Sequence, residues 1–401
     1  MTTRVTWWLG RGPSPREFQD LFVAPFNAGQ NRIRIDLRVL TANAREQTVA
    51  ALRDGTGPDI VMVPRAGDFL SVARQGHLLD LTPHSRLYGW NRRLLTPALR
   101  MAAVDGGLYG VPRSTETMAL LFDPATLDGL SCRPPVTAAG LETAAARALA
   151  AGLLPFGGGC GDFPASCELL WTLAVNHHAG PDAVRAALRG ELPWTSAVFA
   201  DAVAALCGWF ERGWFGDHYF TDTIERGVGR VLDGTAAMAP AMTGMLPENP
   251  AGLDVVPFPA LRPGITSPVY VFGTASLLGI NAASRVPQEA AAVLDALFTP
   301  AVRSRFSAAI PGDWNIPLAA PGSLTGIAPR IFAQPADGVT EAVVSGRHGY
   351  ATWSFFPPKT EALIVDQVRP LVEGRLTVAE HLRALQDVFA GELAAGARPG
   401  L

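Results

Sequence analysis

The sequence predicts an α/β protein that opens on a parallel, doubly wound sheet, and three observations carry that expectation. Strand-like and helix-like segments alternate from residue 5 to residue 63. With 401 residues, 48% of them hydrophobic and 17% charged, the chain is long enough for two or three domains with large cores. Its middle then changes to long amphipathic helices with aromatic residues of their own, as a second domain would.

The elements follow in order. Val5 to Leu9 is a short apolar strand. Ser14-Pro15-Arg16-Glu17 supplies an N-cap, a proline at the first helical position and a glutamate at the third, and Phe18, Leu21, Phe22 and Phe26 recur at helical spacing. The alternation Ile33, Ile35, Leu37, Val39 reads as a second strand. A helix around Arg45 to Arg53 ends in Gly55-Thr56-Gly57-Pro58, and Asp59 to Val63 forms a strand of the kind buried on both faces. Ligands of such sheets bind beyond the carboxyl ends of the strands, here Trp8 to Arg11 and Pro64 to Asp68. Further on, Thr137 to Ala151, Ser166 to His177 and Ser196 to Arg212 are helical, with Phe163, Trp171, Trp194, Trp209 and Trp214 adding bulk. Proline- and glycine-rich breaks at Val111-Pro112, Pro257 to Pro268 and Pro311 to Pro321 mark crossings or linkers. Two helices close the chain, Thr360 to Val372 and Thr377 to Ala394, the second with a Thr377/Glu380 capping box.

Composition excludes several classes. The formal charge is -3 and no run of basic residues occurs, so the footprint of a nucleic-acid or polybasic membrane binder is missing. Lys359 is the only lysine, which leaves a single candidate for Schiff-base or P-loop chemistry. No apolar stretch approaches the roughly 18 residues of a membrane span. Met1-Thr2-Thr3-Arg4 runs straight into the first strand without the regions of a secretory signal. The expectation is either a trimmed signal or a cytoplasmic protein. Cys132, Cys160, Cys167 and Cys207 show no C-x-x-C spacing, so no metal site is expected. Cys160 and Cys167 could close a small loop in an oxidising compartment, or all four are unpaired thiols.

A family resemblance spans almost the whole chain. It rests on Val5-Thr6-Trp7-Trp8, Gly57-Pro58-Asp59-Ile60-Val61, Gly76-His77-Leu78-Leu79-Asp80-Leu81 and Asp105-Gly106-Gly107-Leu108-Tyr109-Gly110-Val111-Pro112. It continues through Leu121-Phe122-Asp123, Leu232-Asp233-Gly234-Thr235-Ala236-Ala237-Met238, Gly279-Ile280-Asn281-Ala282-Ala283-Ser284 and Phe298-Thr299-Pro300. In this order the pieces resemble the extracellular solute-binding proteins of ABC importers, in the carbohydrate-binding group related to maltose-binding protein. The resemblance implies the two-lobed periplasmic-binding-protein fold, each lobe a doubly wound sheet flanked by helices, joined by a multi-strand hinge. It places residues 1–111 and 275–315 in an N-terminal lobe and residues 112–274 and 316–401 in a C-terminal lobe, with a third crossing near Trp314 to Leu318. It further implies an extracytoplasmic monomer without cofactor or catalysis, which closes on a mono- or oligosaccharide and delivers it to permease subunits.

A sugar needs polar partners for its hydroxyls and aromatic rings for its C–H faces. Near strand ends and crossings these are Trp8, Arg11, Arg65, Asp68 and Glu116; Glu116 falls where the family places a hydroxyl-binding carboxylate, its alternative being a helix-start glutamate. On the other lobe the candidates are Asp162 and Phe163 after the Gly157-Gly158-Gly159 turn, then Trp314, Tyr350 and Trp353, where relatives place a stacking ring. Trp7 and Trp8 point to opposite faces of one strand, so at most one of them meets a ligand. Leu246 stands where some maltose binders carry a tryptophan, which weakens maltose as the ligand. Arg11, Arg65 and Arg113 together suit an anionic ligand, a sugar phosphate, sugar acid or glycerophosphodiester. Asp68 and Glu116 would also suit glycoside hydrolysis, the enzyme alternative, although hydrolase, zincin and Walker motifs are all missing.

Overall fold

The computed structural model describes residues 2–10, 15–40, 43–63, 66–247, 250–312, 315–320, 322–397 and 400–401. The chain divides into two compact units, one of residues 1–115, 274–328 and 400–401, the other of residues 116–273 and 329–399.

The first unit is built on a five-stranded sheet in the order Ile33–Leu40, Thr3–Gly10, Ile60–Val63, Leu277–Ile280, Gly110–Pro112. The first three strands are parallel, with Trp7 opposite both Leu37 and Ile60. Ile60–Val63 is buried at every position, as a strand covered on both faces must be. The later strand Leu277–Ile280 joins antiparallel to it, Leu278 facing Met62. Pleating separates the two adjacent tryptophans: Trp7 is fully buried edge-on to Phe18 and Phe22, while Trp8 on the opposite face is half-buried.

Three of the family-like sequence pieces are tied to one another. The Asp59 carboxylate accepts hydrogen bonds from the Thr6 backbone N–H at 2.8 Å, the Thr6 hydroxyl at 2.7 Å and the Ser284 hydroxyl at 2.6 Å. Gly110 is a glycine because a Cβ there would lie 2.3 Å from the Phe69 ring and 2.7 Å from the Leu278 carbonyl.

The second unit holds a four-stranded sheet in the order Asp254–Val256, Met118–Phe122, Ala236–Met242, Leu154–Phe156. Helices Ala138–Ala150, Ala197–Glu211, Pro358–Val372 and Val378–Ala394 belong to the same unit. Thr377 and Glu380 form the reciprocal capping box that the sequence predicts. Trp171, Trp194, Trp209 and Trp214 are all buried in this unit's cores. The strand Gly349–Tyr350 pairs in parallel with Val271 and Phe272.

Three details differ from the sequence reading. The segment read as one helix from Ser166 to His177 is a short 3-10 turn, the helix Glu168–Ala174 and a wide turn over Val175–Ala179. The Pro257 to Pro268 break lies inside the second unit, where Leu261 N–H bonds the His177 carbonyl at 2.7 Å. The division expected near Trp314 to Leu318 falls between residues 328 and 329. Ile316 and Leu318 are buried in the first unit's core, and the Pro317 carbonyl accepts from Leu95 N–H at 2.8 Å, which holds this stretch there.

Candidate functional site

On the second unit the structure brings together two residues that the sequence reading singled out separately. The Trp353 indole N–H donates to the Glu116 Oε2 at 3.0 Å, with both side chains half-buried. Glu116 ends the two-residue strand Thr115–Glu116, so it is not a helix-start glutamate. Trp353 sits in the single helical turn Thr352–Phe355, directly after Gly349–Tyr350. Gly273 makes room for the ring: a Cβ at that position would lie 2.8 Å from the indole Nε1, Cε2 and Cζ2. A carboxylate accepts hydrogen bonds from N–H and O–H groups alike, the indole of Trp353 here and the hydroxyls of a sugar by the same chemistry. Beside it the indole supplies a flat apolar face.

The other candidates on this unit behave differently. Asp162 is exposed, and its Oδ1 accepts from Ile224 N–H at 2.8 Å, capping the start of the helix Ile224–Leu232. Phe163 next to it is 53% exposed, an apolar ring open to solvent. The glycines before them serve internal packing: a Cβ on Gly157 would lie 2.4 Å from the Gly227 carbonyl, and one on Gly159 2.5 Å from the carbonyls of Asp222 and Thr223. This turn is thus packed closely against the protein's own backbone. Tyr350 is only 4% exposed, its ring against His348 and Phe355. It lies in the core, away from solvent.

On the first unit Trp8 carries the Arg38 guanidinium over its ring at 5.0 Å, a cation–π contact on the half-buried side of the strand. Asp68 lies in the first turn of the helix Ala66–Arg74 and is half-buried. Arg113 is buried, its backbone N–H bonded to the Ser276 carbonyl at 2.9 Å. Arg11, Arg65 and Trp314 lie outside the described residues.

Burial also sets the second unit's titration behaviour. It pushes His177, His348 and His381 down to about 4, the Arg185 guanidinium adding to the effect at His348. His381 Nε2 accepts from the Trp171 indole at 3.0 Å, so its proton sits on Nδ1 and donates to Gln367 at 2.8 Å. All four cysteines are free thiols, and burial raises Cys160 to about 11 and Cys167 to about 12. These thiols are poor nucleophiles. Among the described residues no group of three or more His, Cys, Asp or Glu could hold a metal ion, and no helix is long and apolar enough to cross a membrane.

The family model for bacterial extracellular solute-binding proteins matches residues 12–304, well over half of the chain. The chain belongs to that family. Comparison with curated proteins gives no match. Among solved structures this solute-binding protein is similar to a chitin oligosaccharide binding protein, at 21% identity and TM-score 0.77, with 98% of this chain and all of that one covered. It is similar too to the sugar-binding protein MalE of the phytopathogen Xanthomonas citri, at 18% identity, TM-score 0.75 and 98% coverage of both. A third likeness is to the solute-binding protein RafE in complex with raffinose, at 17% identity and TM-score 0.70, covering 97% of this chain and all of that one. At these identities the likeness shows the fold.

The sequence reading of this solute-binding protein missed Asn176, Glu168, Thr172 and Thr352, which lie buried beneath the Trp353 segment. A signal was available. Glu168, Thr172 and Asn176 recur at intervals of four within an otherwise apolar helix, a polar stripe that a soluble core has to account for. Gly273 gave no sequence signal, since its role follows from the ring that packs on it.

Proposed function

We propose that this solute-binding protein captures a carbohydrate, a mono- or oligosaccharide, by closing its two units around it, and delivers it to the permease subunits of an ABC importer without chemically altering it. The observation that carries the reading is the Trp353–Glu116 pair, which joins a hydroxyl acceptor and an apolar ring face in one half-buried patch. The names of the similar structures, a chitin oligosaccharide binder and a raffinose complex among them, support the ligand class. Membership of the family supports the role in uptake.

The test is calorimetry on the whole chain against chitotriose, maltotriose, raffinose and simple pentoses and hexoses, with sugar acids and sugar phosphates as the opposing arm. A neutral sugar should bind, and small-angle scattering should show compaction with it. Glu116→Ala should weaken that binding by about 1.5–3 kcal/mol, the scale of a hydrogen bond to a charged group, with little change in melting temperature. Wild-type affinity in Glu116→Ala, tighter binding of the acids, or turnover of any sugar would overturn the reading.

A further inference from the structure

Beneath Trp353 lies a fully buried polar cluster. Asn176, with no solvent exposure, donates through Nδ2 to the Thr172 carbonyl at 2.9 Å and to the Tyr350 carbonyl at 3.0 Å. Its Oδ1 accepts from the Tyr350 N–H at 2.8 Å. The amide therefore holds Tyr350 by both of its backbone groups, as a neighbouring strand would, and the chemistry of those two groups fixes which way it faces. Gly349 permits the approach, since a Cβ there would lie 2.6 Å from Asn176 Oδ1. Two residues on, the Thr352 hydroxyl, also without exposure, donates to the buried Glu168 Oε2 at 2.5 Å and lies 2.9 Å from the Thr172 hydroxyl. With Thr352's single proton on Glu168, Thr172 donates to Thr352.

We infer that Asn176 and the Glu168–Thr172–Thr352 chain are positioning residues that hold the Gly349–Thr352 backbone so that the Trp353 indole meets Glu116 and presents its ring to ligand. The inference deepens the proposed function and rests on it for the ligand, though the positioning itself does not need one.

Four arguments carry it. The bonds land on residues 350 and 352, on either side of Ala351, and so fix the chain at two points immediately before Trp353. The Trp353–Glu116 bond, at 3.0 Å, tolerates little drift, because a shift of about an ångström takes it beyond hydrogen-bonding distance. Stability alone does not call for such a cluster: an apolar core of the same shape buries these positions without desolvating an amide, two hydroxyls and a carboxylate. Saturated buried polar networks specify one geometry. The wide turn over Val175–Ala179 contains Asn176, a local departure from α-helical spacing of the type often found beside functional sites.

The experiment reads Trp353 directly, in the whole chain without sugar. The indole N–H resonance of Trp353 is assigned from a proton–nitrogen spectrum by its loss in Trp353→Phe. Thr352→Val removes the hydroxyl at nearly constant volume and Asn176→Ala removes the amide; Thr352→Ser retains the hydroxyl. Both removals should move the Trp353 resonance, and Thr352→Ser should leave it at the wild-type position. Affinity for the tightest of chitotriose, maltotriose and raffinose should fall about tenfold or more in the same two variants and recover in Thr352→Ser. An unmoved resonance in folded Thr352→Val would overturn the inference even if Asn176→Ala does not fold. A moved resonance with unchanged affinity would uphold the positioning and overturn Trp353 as a ligand contact.

Discussion

The two units enclose different titratable side chains. In the first, half-buried charges are paired: Asp59 takes three hydrogen bonds from Thr6 and Ser284, and Arg93 reaches Asp295 at 2.6 Å, where the Trp90 indole also donates. Arg303, 1% exposed, bonds Asn315 and the Gly322 carbonyl, both at 3.2 Å. In the second, Glu168 and Glu361 apart, the enclosed groups are mostly neutral: His177, His381, Asn176, Thr172, Thr352, Cys160 and Cys167. Paired charges tie distant segments of the first unit together. Neutral polar groups hold the segment before Trp353 in the second, and leave that unit dependent on its histidines staying unprotonated.

Acid should separate the units most strongly. Five of the seven histidines lie in the second unit, and three of them are held at about 4 against 6.5 for the free side chain. A group whose folded value is depressed in this way binds its proton preferentially in the unfolded chain. Stability is therefore lost as pH falls below about 6.5, by up to about 3 kcal/mol per histidine once pH is below the folded value. Burial lowers His84 of the first unit as well, with Asp80 opposing the shift. Hydrogen exchange followed by mass spectrometry down a pH series should show residues 116–273 and 329–399 losing protection first. His177→Leu should lessen the difference, and earlier loss in the first unit would break the comparison.

Two glycines give the next contrast. Gly110→Ala forces a Cβ into Phe69 and the Leu278 carbonyl, and should destabilise the first unit by roughly 1–3 kcal/mol in thermal unfolding. Gly273→Ala displaces only the half-buried Trp353 ring, so it should spare the melting temperature while shifting the Trp353 indole resonance. Equal losses of stability would show that Trp353 is as much a core residue as Phe69.

The smallest difference concerns helix starts. Thr377 accepts from Glu380 N–H at 3.2 Å, and Glu380 returns a bond to Thr377 N–H at 3.0 Å; Thr299 accepts from Val302 N–H at 3.2 Å as a one-way cap. Thr377→Ala should cost about 1 kcal/mol in denaturant unfolding, and Thr299→Ala somewhat less. The reverse order would mean that the reciprocal box adds nothing here.

Much of the fold was legible because it is written in local periodicity and in residues with special backbone chemistry. The apolar run at Ile60–Val63, the alternation at Ile33–Leu40 and the Thr377/Glu380 box each declare themselves within a few positions. The site was legible only in pieces. Glu116 and Trp353 stood out by residue type and by family resemblance, but 237 positions separate them, and no local pattern states that one donates to the other. Tyr350 shows the converse: an aromatic in the same short segment as Trp353 turns into the core because strand pairing with Phe272 sets its direction.

By itself the sequence determined the α/β class, the parallel start of the first sheet, the capped last helix and the family, because hydrophobic period, caps and ordered motifs are properties of neighbouring residues. The tertiary structure alone decided that the glycine turn at 157–159 packs on the protein's own backbone, that Asp162 caps a helix, and that Asn176 grips Tyr350. Each of these is a contact between residues far apart in the chain, made when a core closes around groups whose hydrogen bonds must then be satisfied from whatever the fold brings beside them.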